Sequence, residues 1–310
     1  MIDFIKFTLE NEDWRKFTEH PDFFGKFHPP RSSRKTRILK IDQEAVFNGI
    51  TVRLIHDPET GKKDVKIEFS IHKYANFGHN YDDLSFQRLC LSLESFSARY
   101  DIDLSMAVIH YIEFGVNLTI PYDPLKIIEC FINHKNKPFR PEYGGKELDM
   151  WKCKKGNYVI KFYNKRKLSP LLVDRLRYEL QIKKMVHIKS VGIRTLADLM
   201  NKKKIRLLGR FLWNTFSEIL MSSPYIDMGK LSKEEIKFLK VGKKNSYWVN
   251  AKNQDRNNQL YQKMKFRKLV TANSSPDLQS NLEKKIRVKW KYLLYYSGQD
   301  KLLKTLNIDM

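Results

Sequence analysis

Residues 157–165 read NYVIKFYNK and residues 176–183 read LRYELQIK. Side chains alternate across a strand, so each stretch divides into two faces. In the first, Ile160, Phe162 and Asn164 oppose Lys161, Tyr163 and Lys165. In the second, Tyr178, Leu180 and Ile182 oppose Arg177, Glu179, Gln181 and Lys183. This period of two predicts strands with one apolar and one polar face. The same pattern recurs upstream, in ITVRLIH (50–56), VKIEFSIH (65–72) and VIHYIEFGVNL (108–118). The first two are joined by DPETGKK, whose Pro and Gly suit a hairpin turn.

Helical spacing appears between these runs. Phe86, Leu89, Cys90, Leu93 and Phe96 predict a helix near 82–99, with Asp82 or Asp83 as its cap. Asp123 and Pro124 predict the start of a short helix carrying Leu125, Ile128 and Phe131 on one face. A helical region is expected over 195–222, opening on Thr195 and Asp198 as a capping box, with Leu208, Phe211, Leu212, Thr215 and Ile219 as its stripe. Residues 18–36, with Pro-Pro and a basic, Ser-rich end, read as a loop. The fold class expected is α+β, a mainly antiparallel sheet with helices on its apolar face and an open polar face opposite.

That polar face gathers chemistry. It carries Glu68, Glu113 and Glu179 on three strands and Tyr163 on a fourth, flanked by Lys161 and Lys165. Converging carboxylates can hold Mg²⁺ or Mn²⁺, which favour oxygen ligands. A metal on a phosphate oxygen stabilises phosphoryl transfer, and a tyrosine beside it can act as a covalent nucleophile. Read singly, each carboxylate also fits an ordinary cross-strand Glu–Lys pair that needs no metal. It is the joint pattern on one face that points to a site. His79, in NFGHN, reads as closing a turn, and His110 as pointing to the apolar side of its strand. No His-x-His pair occurs, and no Walker-type or GxGxxG loop, so a nucleotide-driven motor is disfavoured.

The charge balance names the partner. The chain has 58 Lys and Arg against 35 Asp and Glu, a net charge of +23, and such an excess faces a polyanion, nucleic acid first. No run of residues is long and apolar enough for a membrane span, and the start MIDFIKFTLENEDW is not a signal or transit peptide. Cys90, Cys130 and Cys153 form no CxxC pair and are expected as reduced thiols. Residues 225–310 hold 19 Lys and Arg against 8 Asp and Glu, interleaved with aromatics in KKNSYWVNAKNQ and KIRVKWKYLLYY. We therefore expect two domains: 1–224, with the site, and 225–310, a small basic helical domain that grips DNA. The DNA-binding candidates are Lys161, Arg177, Lys183, Lys243, Lys244, Trp248, Arg287 and Lys289.

Several blocks over residues 1–220 occur in the order of a known family. MIDFIKF, KIEFSIHKYANFGHN, HYIEFGVNL, VIKFYNKRK and LRYELQIKK followed by SVGIRTLADL resemble the replication initiators of filamentous phages, the gene II protein family, and the related Rep_trans plasmid initiators. The resemblance implies a nicking and closing enzyme that starts rolling-circle replication. Its core would be akin to that of the HUH nucleases, without their His pair. Tyr163 matches the nucleophile, Glu113 and Glu179 the acidic metal ligands, Glu68 a third acidic position, and Lys165 the lysine after the tyrosine. It further implies a divalent metal cofactor, a single-stranded or hairpin origin, a host helicase and polymerase, the cytoplasm of a bacterial host, and admits a dimer. Two alternatives stand beside it: a conjugative mobilisation relaxase with the same chemistry, and a non-catalytic nucleic-acid-binding protein.

Overall fold

The computed structural model describes residues 1–29, 40–76, 78–80, 82–142, 150–165, 175–250 and 255–296, and for residues 40–42, 250 and 256 the backbone only. The basic stretch expected at 31–36 and the Arg-Lys pair at 166–167 that ends the VIKFYNKRK block lie outside the described residues. The packing divides the chain into two compact units: residues 1–115, 181–208 and 291–310, and residues 116–180 and 209–290. The units are discontinuous in sequence, and residues 225–290 belong with 116–180.

The first unit contains strands β1 (Ile2–Leu9), β2 (Lys40–Phe47), β3 (Ile50–His56), β4 (Lys63–Phe69) and most of β5 (Val108–Thr119). They lie in the order β2-β3-β4-β1-β5, with every neighbouring pair antiparallel. β3 and β4 form the expected hairpin, with Ile50 opposite Phe69. The helix Phe86–Tyr100 covers the apolar face: Phe96 stacks on Phe69 of β4 at 4.4 Å and meets Phe7 of β1 edge-on at 6.0 Å. Its cap is Ser85, whose side chain accepts from the Arg88 N–H, rather than Asp82 or Asp83. Ser85 suits the task because its short hydroxyl satisfies an otherwise orphaned helix N–H.

The pairing of β1 with β5 contains a register shift between Lys6 and Phe7, which face Tyr111 and Ile109. His110 is the residue skipped, so it is exposed and not on the apolar side as the alternation predicts.

The second unit contains β6 (Phe131–His134), β7 (Lys137–Pro138), β8 (Arg140–Glu142), β9 (Met150–Lys154), β10 (Tyr158–Asn164), most of β11 (Arg175–Ile182) and β12 (Ile219–Met221). The order is β11-β10-β9-β8 in one set and β12-β6-β7 in a small sheet. Asp123 caps the short helix Pro124–Ile128 as expected, but Phe131 begins β6 instead of extending that helix. Likewise Ile219 leaves the helical stripe and pairs with His134. The apolar faces of β10 and β11 pack firmly. Phe162 stacks on Phe131 at 3.9 Å and on Tyr178 at 4.9 Å, and Phe216 meets Tyr178 at 5.5 Å. A second cluster joins Leu239, Trp248, Phe266 and Val270 to Ile132 and Leu220. Among the described residues no helix is long and apolar enough to cross a membrane.

Candidate functional site

The strongest constellation lies within the second unit. Tyr163 of β10 donates its hydroxyl to Glu179 Oε2 of β11 at 3.4 Å. Lys161 Nζ donates to Glu179 Oε1 at 2.8 Å, and Arg177 Nε to Oε2 at 3.4 Å. Arg177 Nη1 also reaches Asn117 Oδ1 at 3.4 Å. Alternation explains the convergence: Lys161 and Tyr163 share one face of β10, Arg177 and Glu179 one face of β11, and the two strands are neighbours. Asn117 is the member sequence reasoning left out; it stands four residues after Glu113 on the same face of β5, and that spacing is its only signal.

The face is not open. Glu179 is 3% exposed, Arg177 1%, Lys165 1% and Tyr163 7%. The expectation of a solvated polar face therefore fails at β10 and β11, where both faces are buried. The physical consequence is that these charges must be satisfied by one another, since a buried ion lacking partners is costly. Lys161 and Arg177, expected on DNA, spend hydrogen bonds on Glu179. Lys183, just past β11, is exposed.

The other two carboxylates sit in the first unit. Glu68 of β4 lies opposite Lys6 of β1. It accepts from Lys6 Nζ at 2.7 Å and from Arg53, which also holds Glu44. Although burial pushes its acidity the other way, Lys6 and Arg53 hold its carboxyl below the usual glutamate range. Glu113 accepts from the Tyr111 hydroxyl and from Gln181 Nε2, the latter at 2.6 Å. β1 runs between β4 and β5, so Glu68 pairs with Lys6 across β1 while Glu113 stands opposite Phe4. Among the described residues no group of three or more His, Cys, Asp or Glu side chains could hold a metal ion. Each carboxylate named for the metal is engaged by protein donors, so the residues as arranged do not form a ready cation site.

Two of the histidines have local roles. His79 closes a turn, its N–H bonded to Asn76 O at 3.1 Å beside Gly78 at φ +96°. His72 is buried in a short helix with Nδ1 at 2.8 Å from Asp3. Burial pushes the Cys130 and Cys153 thiols up to about 11, which keeps them protonated and unreactive.

Of the C-terminal candidates, Trp248 is corrected. It is fully buried in the Leu239–Phe266–Val270 cluster and donates its indole N–H to Gly242 O at 2.6 Å. An aromatic among lysines resembles a stacking platform in sequence, but its neighbours in space are apolar. Lys243 and Lys244 are exposed at the end of the helix Lys233–Gly242. Arg287 is exposed, pairs with Glu283 and lies 5.3 Å over the Trp213 ring, and Lys289 is half-buried.

No protein-family model matches the chain, and no curated protein matches it. Among solved structures it is similar to one described as "Structure of Rolling Circle Replication Initiator Protein from Geobacillus stearothermophilus", with 14% identity, 78% of this chain and 96% of that chain covered, and a TM-score of 0.40.

Proposed function

We propose that the protein nicks one strand of DNA and retains the 5′ phosphate as an ester of Tyr163, the reaction that starts rolling-circle replication. One observation carries the reading: a strand tyrosine donates its hydroxyl to a carboxylate that two cations also hold, Tyr163 to Glu179 with Lys161 and Arg177. The resemblance of the block around Tyr163 supports its role as nucleophile; for Glu179 it implies a metal ligand, and the proton-accepting role offered here rests on the hydrogen bond to Tyr163.

In this reaction the Tyr163 oxygen forms a bond to phosphorus and the bond from phosphorus to the 3′ oxygen breaks. The phenol proton passes to Glu179, and the leaving 3′ oxygen takes a proton from water. A free phenol has a pKa of about 10 and a glutamate about 4.3. Full transfer before attack is therefore uphill, and the proton moves as the O–P bond forms. Lys161, Arg177 and Lys165 offer fixed positive charge where the phenolate and the phosphorane develop negative charge. A divalent ion, if bound, would supply Lewis-acid stabilisation of the phosphate. The carboxylates are not grouped for it, so its requirement is a separate proposal, read by running the assay in Mg²⁺, Mn²⁺ and EDTA.

The test is a nicking assay on supercoiled plasmid bearing the gene neighbourhood of this chain, followed by peptide mass of the adduct. Wild type should give open circles with DNA on Tyr163, and Tyr163→Phe should give none while binding as before. Nicking by Tyr163→Phe at the wild-type rate would remove Tyr163 from the role. The burial of Tyr163 and Glu179 favours a second reading, a nucleic-acid-binding protein without cleavage. Tight, salt-sensitive binding with no nick on any arm would assign it.

A further inference from the structure

The face of β10 that carries Tyr163 continues across β9 and β8. Arg140 of β8 stands directly opposite Lys152 of β9, and Lys152 directly opposite Lys161 of β10. Directly opposite residues share a face, so three cations form a row across three neighbouring strands. The next row on this face is Glu142, Met150 and Tyr163. The cationic row thus ends one step along β10 from the candidate nucleophile, at the lysine bonded to Glu179.

Like charges directly opposite each other destabilise a sheet. Two such pairs in succession call for negative charge from somewhere. Glu179 answers Lys161 at 2.8 Å, and Glu142 bonds Lys152 and also Lys154 at 2.8 Å, which leaves the outer end of the row. Lys137 and Arg140 are exposed and have no acidic partner among the described residues. Around them is an open cleft of about 430 Å³, lined by Lys137, Arg140, Lys152 and Lys154 against the single carboxylate of Glu142. Exposure falls along the row, from Arg140 at the surface to 20% for the Lys152 side chain and 12% for Lys161.

We propose that this row is a track for the phosphodiester backbone of single-stranded nucleic acid, entered at Lys137 and Arg140 and leading toward Tyr163. The inference deepens the nicking reading and rests on it for where the track leads. A single strand is the fitting ligand because the row spans three strands, about 10 Å at about 4.8 Å between neighbours, and exposure falls to 12% at Lys161, which suits one extended backbone better than a duplex. Prolines 138 and 141 beside the cations fix the strand-edge backbone and leave no extra N–H there to satisfy.

The test is fluorescence anisotropy of a labelled oligo(dT) of about 20 nucleotides, titrated with the full chain between about 50 and 200 mM salt. Each phosphate contact on single strands contributes about 0.7 to the slope of log K against log salt. Lys137→Gln/Arg140→Gln should therefore lower the slope by about 1.4 and weaken low-salt binding by at least about tenfold. Arg140→Glu gives a second, independent readout. It replaces a like-charge pair with an opposite one, so it should melt no lower than wild type yet bind oligo(dT) more weakly. Wild-type slope and affinity in both variants would overturn the track, as would failure of the wild type to bind oligo(dT). A loss seen only with a duplex of the same length would overturn the single-strand assignment. If the slope falls while no strand is ever nicked, the track stands and the nicking reading falls.

Discussion

Glu179→Gln should cost the fold about 3 kcal/mol, and the figure follows from what the carboxylate holds. Glutamine keeps the shape and one acceptor oxygen but removes the charge. Arg177, 1% exposed, then loses the carboxylate at 3.4 Å from its Nε, and Lys161 loses a 2.8 Å partner. Breaking a buried ion pair on one side costs about 3–5 kcal/mol. The Lys161 side chain retains 12% exposure and can turn to water, which places the cost at the lower end. Against a total stability of about 5–15 kcal/mol this is a large fraction. The melting temperature should fall by about 6–12 °C at about 2–4 °C per kcal/mol. Urea unfolding followed by tryptophan fluorescence measures the same loss. A companion, Glu179→Gln/Arg177→Met, removes the guanidinium as well and should recover part of the loss, a coupling of about 1–3 kcal/mol. A loss below about 1 kcal/mol for Glu179→Gln, the level of an exposed pair, would show that water reaches this cluster and would refute its description as a buried network.

Two further outcomes follow from burial and charge elsewhere. Trp248→Ala should cost about 3–5 kcal/mol by urea unfolding, because it empties the Leu239–Phe266–Val270 cluster. The affinity for nucleic acid should stay at the wild-type value in the fraction still folded, and a loss of about 1–3 kcal/mol there, the worth of one base–aromatic stack, would restore Trp248 as a contact. Asp22 is held below the usual aspartate range by its hydrogen bonds from Arg99, with the Tyr100 hydroxyl adding a further bond at 2.8 Å. A depressed carboxylate stabilises the fold above its unfolded pKa of about 3.9 and loses that contribution as pH falls through the folded value. Asp22→Asn should thus cost about 2 kcal/mol near pH 7 and close to nothing once the wild-type carboxyl is protonated. An equal cost at both ends of a pH series of urea melts would contradict the assignment.

How much of this was written in the sequence depends on which physical signal each element carries. β3, β4, β10 and β11, and β5 from Tyr111 onward, alternate in sequence and are legible from period alone. β1 is not, since the apolar residues Phe4 and Ile5 are adjacent and break the period. Yet β1 lies between β4 and β5, and its placement decides the fate of Glu68. Sequence assigns a residue to a face but says nothing of strand order, so Glu68 was grouped with Glu113 and instead pairs with Lys6 and Arg53. Tyr163, Lys161, Arg177 and Glu179 come together because their strands are neighbours, where the face argument suffices. What alternation cannot report is whether a charged face meets water. Lys, Arg and Glu on a strand look solvated, and here they are buried against each other. Trp248 shows the converse: flanking lysines suggested a surface, while its contacts lie with residues distant in sequence, Phe266 and Val270.

The buried face is itself informative about what the strands are for. The opposite sides of β10 and β11 show that apolar packing was available to this sequence, in Ile160, Phe162, Tyr178 and Leu180. Apolar replacements for a buried charge network are often neutral or stabilising, so stability alone does not account for Arg177, Glu179, Lys161 and Lys165 on the other side. What charges gain from burial is strength: an interaction screened at the surface grows as the effective dielectric falls. Along Arg140, Lys152 and Lys161 exposure drops while positive charge continues. A phosphate drawn to the wet end by long-range attraction would meet progressively stronger interactions toward Tyr163. At the dry end Glu179 opposes it, holding Lys161 at Oε1 and accepting the Tyr163 hydroxyl at Oε2. The same carboxylate thus holds the cations of Lys161 and Arg177 and lies within hydrogen-bond reach of the phenol, which ties the cost of removing it to the chemistry proposed for it.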